Sequence, residues 1–154
     1  MKKIIKLLIS ILVCQAAGGV GAIFTVPAIS GWYKSLQKPF FNPPDWIFSP
    51  VWIFLFLLMG ISLYLVWNRG LRENKKAIII FGIQLVLNIF WSIIFFGLKS
   101  PGFAFWEMII LWLAILATII SFYKISKTAG LLLVPYILWV SFALILNLFL
   151  WQLN

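Results

Sequence analysis

Five stretches of this chain run for 20 residues or more almost without charge, and that spacing leaves few ways to fold. They are residues 7–26, 46–68, 77–98, 100–123 and 128–154, and Glu107 is the one charged residue among them. A transmembrane helix takes about 20 consecutive apolar residues at ~1.5 Å of rise each. Membrane β-strands would be about 10 residues long with a two-residue alternation, whereas these runs are apolar on every side. The expected fold is an all-α membrane protein, a bundle of five transmembrane helices, with residues 1–154 forming a single domain.

Composition narrows the function. The chain is 64% hydrophobic and 10% charged, against roughly half and a quarter in a soluble domain. So much apolar surface has no place inside a water-soluble domain of this size. A soluble enzyme, a disordered chain and a disulfide scaffold are excluded, and the lone Cys14 cannot pair within the chain. With no His there is no ordinary metal site and no His-based triad.

The net charge of +9 would suggest nucleic acid in a soluble protein. Here the bases sit in short connections between apolar runs, where they orient the chain in a lipid membrane, and no nucleic-acid partner is expected. With the N-terminus in the cytoplasm, the inner side carries Lys2, Lys3, Lys6, Arg69, Arg72, Lys75, Lys76, Lys124 and Lys127. The outer side carries Lys34, Lys38 and Lys99, and the C-terminus lies outside. The first 17 residues have the form of a signal peptide, basic, then apolar, then small. The apolar run continues to Phe24, however, and Val13 stands before Cys14 where a lipoprotein signal wants a small residue. This segment is therefore read as the first helix.

Four connections can be traced, and three are short. The exception spans residues 27–45 on the outer side and contains Trp32, Tyr33, Phe40, Phe41 and four prolines. A loop of this length is usually functional or disordered, and its aromatics argue against disorder. It is read as a structured lid over the outer end of the bundle, the alternative being a loop that rests its aromatics among the headgroups.

Nine tryptophans punctuate the spans. An interfacial aromatic belt accounts for Trp46, Trp67, Trp106 and Trp151, fits Trp52 less well and fits Trp91, Trp112 and Trp139 poorly. A deep indole N–H needs a partner, so these rings should face protein or a cavity. Gln84, Asn88 and Trp91 share one face of the third helix, and Trp139, Ala143 and Asn147 one face of the fifth. Both faces should point into the bundle, either to bond helix to helix or to line a pocket. Trp52, Asn88, Trp91, Glu107 and Asn147 all fall in the outer half of the membrane, beneath the lid. An aromatic pocket with few polar groups suits a flat, largely apolar ligand.

Three further features leave alternatives. Pro135 either bends the fifth helix and widens such a pocket or is simply tolerated there. The spacings Ala17-x-x-x-Gly21 and Gly18-x-x-x-Ala22 suit either packing within the chain or a homodimer. Glu107 is a functional candidate as an intramembrane acid, but about one turn from the outer end it also reads as interfacial.

The run WYKSLQKPFFNPPDWIFSPVWIFLFLLMG at 32–60 resembles the signature of the translocator protein family (TSPO), also called tryptophan-rich sensory proteins or peripheral-type benzodiazepine receptors. YLVW at 64–67, QLVLNIFWSIIFFG at 84–97 and PYILWVSFALILN at 135–147 match in the same order. The resemblance covers nearly the whole chain and implies five transmembrane helices with a pocket opening toward the long first loop. It implies binding of porphyrins, notably protoporphyrin IX, and of isoquinoline and benzodiazepine-type molecules, with no required cofactor. For a bacterial member it implies a place in the cytoplasmic membrane and a role in tetrapyrrole and stress sensing, with light-driven porphyrin degradation in some cases. Carried over by residue, the ligand-binding set is Tyr33, Trp52, Asn88, Trp91, Trp139, Ala143 and Asn147, with Trp52 and Trp139 as the photochemical pair. The sterol motif is incomplete, since Val134 and Tyr136 are followed by no base. Two other readings remain: a transporter of tetrapyrroles or other hydrophobic molecules, and a scaffold whose amides and indoles only hold helices together.

Overall fold

The computed structural model describes residues 1–154 and contains helices and no strands. Helix α1 (Lys3–Ala28) runs on through a π-helical turn, Ile29–Tyr33. A short 3-10 turn, Asp45–Ile47, leads into α2 (Phe48–Asn68). Helix α3 (Lys75–Ser92) also ends in a π-helical turn, Ile93–Gly97. The chain closes with α4 (Pro101–Ile125), a short α5 (Lys127–Leu132) and α6 (Val134–Leu153). Five segments are long and apolar enough to cross a membrane, the last comprising α5 and α6 together.

Local chemistry explains the boundaries. Ser100 caps α4, its Oγ accepting from the Phe103 N–H at 3.4 Å, and Pro101 occupies the first turn, where its missing N–H costs nothing. Ser126, in an extended conformation, ends α4 and caps α5 by accepting from the Ala129 N–H. Gly70 turns the chain between α2 and α3 at φ 122°, a region only glycine enters freely.

Two expectations from sequence need correction. The first connection is shorter than residues 27–45, because α1 and its π turn continue through Pro27 to Tyr33. Proline marks a helix end in water, but in an apolar solvent an unwound backbone would strand its polar groups, so the helix carries on. The fifth span, expected as one bent helix, is broken at Leu133, with Pro135 in the first turn of α6. Pro135 has no N–H to offer the carbonyl of Leu131, and the Leu133 N–H bonds back to Gly130 instead.

The packing order follows from that break. Helix α1 lies along α2 and against α3, α3 packs on α4, and α4 on α6, while it is α5 that meets α2. The Ser62 hydroxyl fixes that last contact by donating to the Ala129 carbonyl at 2.7 Å. Beyond Leu133 the chain leans toward α4 and away from α2, leaving space among α1, α2, α3 and α6. A core of Met59, Met108, Leu111, Ile115, Phe122 and Val140 packs the helices against one another beside that space. Apolar side chains such as Leu12, Ile23, Leu113 and Leu138 cover the outside, as suits a molecule solvated by lipid.

The lid is packed. Tyr33, buried, donates its hydroxyl to Asn42 Oδ1 at 3.0 Å. Phe41 meets Phe142 and Phe149 edge-on, with ring centroids 6.2 and 5.2 Å apart. Gln37 and Asn154 join loop to C-terminus through two hydrogen bonds of 3.0 and 2.9 Å. The lid thus rides on the C-terminal end of α6.

An aromatic cavity at the lid end of the bundle

The space left by the broken fifth span is a cavity of about 350 Å³. Tyr33, Trp52, Asn88, Trp91, Trp139, Ala143 and Asn147 all line it. No Asp, Glu, Lys or Arg does. The cavity also takes in residues that sequence reasoning did not single out, among them Gln15, Phe48, Phe56, Ser92, Phe95 and Phe96. Phe56 follows Trp52 by one helical turn, a spacing visible in the sequence. Phe95 and Phe96 lie in a π turn, whose extra residue rotates the face in a way no helical spacing announces.

The rings form one connected wall. Trp91 stacks on Phe95 at 5.1 Å and 22°, Phe95 meets Trp32 at 5.6 Å, and Tyr33 meets Phe96 at 5.8 Å. Across the cavity Trp139 packs on Phe142 at 5.5 Å and Phe48 at 6.3 Å, and Trp52 on Phe56 at 5.7 Å. The two π turns therefore meet each other at the lid end of the cavity.

The amides serve both of the roles that sequence left open. Asn88 Nδ2 donates to the Tyr136 hydroxyl at 2.8 Å, which donates onward to Gln84 Oε1 at 2.7 Å, tying α3 to α6. Gln84 is held away from the cavity, with its Nε2 near Met59 Sδ at 3.9 Å. The Trp91 indole donates to Asn147 Oδ1 at 3.0 Å, and Asn147 Nδ2 donates to the Pro101 carbonyl at 2.7 Å, clamping α3, α6 and α4. Gln84 is thus a bond between helices, and Asn147 is a clamp that also faces the cavity. Tyr136, the tyrosine of the incomplete sterol motif, is buried with its hydroxyl fully engaged and offers nothing to lipid.

The tryptophans divide by their hydrogen bonds. Trp112 donates to Ser141 Oγ at 2.8 Å and joins α4 to α6 outside the cavity. Trp46, 72% exposed, and Trp106 and Trp151, both also exposed, stand on the surface near the lid end. Trp52 and Trp139 line the cavity, and the chain provides no acceptor for either indole N–H. The Asn88 carbonyl likewise receives no donor from the chain. Both indole N–H groups, the Asn88 side-chain carbonyl and the Ser49 and Ser92 hydroxyls therefore remain for whatever occupies the space.

Glu107 turns its carboxylate into the protein. Both carboxylate oxygens are buried without a hydrogen-bond partner, and the residue does not line the cavity. The small residues of α1 serve packing within the chain. A Cβ on Gly18 would stand 2.8 Å from the Phe56 ring, and one on Gly21 would stand 3.1 Å from Ser92 Oγ.

Comparison with known proteins agrees with this architecture. The chain is 44% identical over 155 residues to the tryptophan-rich protein TspO of Chlorobaculum tepidum, covering 99% of this chain and 98% of that one. It is 43% identical over 151 residues to the protein of the same name from Archaeoglobus fulgidus, covering 98% of each. It is 39% identical over 126 residues to the human translocator protein, covering 80% of this chain and 75% of that one. Residues 10–152 match the TspO/MBR family. Five apolar spans, a tryptophan-walled cavity and a match along almost the full length make this chain an integral membrane protein that belongs to the TspO/MBR family.

Proposed function

We propose that the chain binds flat, largely apolar ligands in this cavity, porphyrins such as protoporphyrin IX foremost, and acts in tetrapyrrole and stress sensing. One observation carries the reading. Trp52, Trp91 and Trp139, from three different helices, converge on one uncharged space of about 350 Å³. Aromatic walls with a few unpaired polar groups select flat molecules and orient them. Isoquinoline and benzodiazepine-type molecules are of a size to be enclosed whole. A tetrapyrrole is larger, so on this reading its acidic edge projects from the cavity, because a carboxylate has no partner inside it.

No cofactor is required, and no general acid, base or nucleophile is assembled. Where light-driven porphyrin degradation occurs, Trp52 and Trp139 are the electron donors in this proposal, since an indole is more easily oxidised than a phenyl ring. The proposed setting is a bacterial cytoplasmic membrane, with the N-terminus in the cytoplasm and the lid outside. A homodimer belongs to the same proposal, formed through a face other than the small residues of α1, and light scattering in detergent tests it.

Titration with protoporphyrin IX tests the central claim. Tryptophan fluorescence of the purified protein should quench saturably, and Trp139→Ala should weaken binding about tenfold, ~1.4 kcal/mol. Under illumination, Trp52→Phe and Trp139→Phe should slow porphyrin conversion. Quenching that never saturates, in protein shown to be folded, overturns the ligand; conversion at the parent rate in both variants overturns only the photochemistry. A second reading, transport of hydrophobic molecules, draws on the name of the human relative. Flux of porphyrin against a gradient in vesicles would favour it. Against it, Glu107 is the sole acid within a span, leaving little to couple to ions.

A further inference from the structure

The residues that line the cavity are not equally covered. Those supplied by α3, its π turn and α6 are all buried or half-buried, and so is Tyr33. The exposed ones are Gly19 and Val26 on α1 and Ser49 and Ile53 on α2. Val26 is 61% exposed and Ile53 60%. The cavity therefore reaches the surface along the seam between α1 and α2, not beneath the lid, which Tyr33, Phe41 and Asn154 pin down.

That seam is built differently along its length. Below, it is sealed: Gly60 lets α2 approach so closely that an added Cβ would stand 2.7 Å from the Ile11 Cα. At the next level the Gln15 amide donates across the seam to the Ile53 carbonyl at 3.0 Å. Above that bond, a Cβ on Gly19 would meet nothing within 4 Å. From Gln15 to Val26 is about 16 Å of helix, and all of it belongs to a membrane-spanning segment. The opening thus faces lipid tails and headgroups and not bulk water.

We propose that ligands reach the cavity sideways from the lipid phase, through a doorway between α1 and α2 framed by Gly19, Val26, Ser49 and Ile53. The Gln15–Ile53 hydrogen bond is its sill. The lid is a fixed roof and not the gate, which differs from the opening toward the first loop that the family resemblance implies. The solvent on each side fits this route, since an apolar ligand already dissolved in the bilayer passes into an uncharged cavity without crossing water. The inference rests on the ligand reading above but concerns the path and not the site.

Stopped-flow fluorescence, mixing protein in phosphatidylcholine vesicles with phosphatidylcholine vesicles that carry protoporphyrin IX, separates the two. In Gly19→Phe, and independently in Ser49→Phe on the opposite wall, association should slow about tenfold and dissociation should slow with it. Asn154→Ala, which removes one of the roof's three ties, should leave the association rate as it is. Association at the parent rate in both doorway variants overturns the proposal. So does a several-fold faster association in Asn154→Ala, or a loss of affinity in Gly19→Phe with no change in association rate. Absence of saturable binding in the parent protein would instead fall on the ligand reading.

Discussion

The Tyr136 hydroxyl accepts from Asn88 and donates to Gln84, so its removal strands two amide groups at once. Unmet hydrogen bonds inside a membrane protein cost less than vacuum arithmetic suggests, about 0.6 kcal/mol on average and up to about 1.7. Tyr136→Phe should therefore lower stability by about 1–2 kcal/mol in detergent unfolding. Trp112→Phe breaks a single bond to Ser141 and should cost roughly half as much. Trp139→Phe breaks no bond within the chain, so its effect should appear in ligand affinity ahead of stability. Equal destabilisation by all three would mean that the indoles and amides form one structural network. The shared faces of Gln84–Asn88–Trp91 and Trp139–Ala143–Asn147 were legible because helical spacing is a local property of the chain. Which groups bond to each other was not, since Asn88 finds Tyr136 from 48 residues away and Trp91 finds Asn147 from 56. Only the packed helices bring such partners together.

Breaks in the elements, rather than their existence, decide where the cavity lies. The five spans were legible from length and charge alone. Their ends were not: Pro27 reads as a stop yet lies inside α1, and neither π turn has a sequence signature. Apolar runs look alike whether they wind with 3.6 residues per turn or more. Pro135 was visible as a disturbance, but its consequence lies in tertiary structure, where α5 keeps to α2 and α6 departs toward α4. Pro135→Ala returns an N–H to the Leu131 carbonyl and favours one continuous helix. That helix would carry α6 toward α2 and narrow the space between Trp52 and Trp139. Affinity for protoporphyrin IX should fall about tenfold, ~1.4 kcal/mol, while unfolding shows equal or greater stability. Unchanged affinity would detach the cavity from the helix break.

At the scale of the whole molecule, the two ends of the bundle differ in charge. The lid, the α3–α4 turn and the C-terminus share one end, as the Gln37–Asn154 and Asn147–Pro101 bonds require. That end carries Lys34, Lys38 and Lys99, and the other carries nine bases, including Arg69, Arg72, Lys75 and Lys76 between α2 and α3. Short connections rich in Lys and Arg stay in the cytoplasm, so the lid end should face outward. The chain suits a direct test, because Cys14 is 0% exposed and sits within a span, out of reach of a water-borne thiol reagent. Gln37 bonds to Asn154 through its backbone alone, so Gln37→Cys keeps the lid tied down. Arg72 is exposed, and Arg72→Cys leaves most of the inner charge in place. In intact cells a membrane-impermeant maleimide should label Gln37→Cys and spare both the parent and Arg72→Cys, which should react only after lysis. The reverse pattern would invert the bundle and put the lid in the cytoplasm. Equal labelling of both variants in intact cells would show a mixed orientation, and the charge difference would then be too weak to set one.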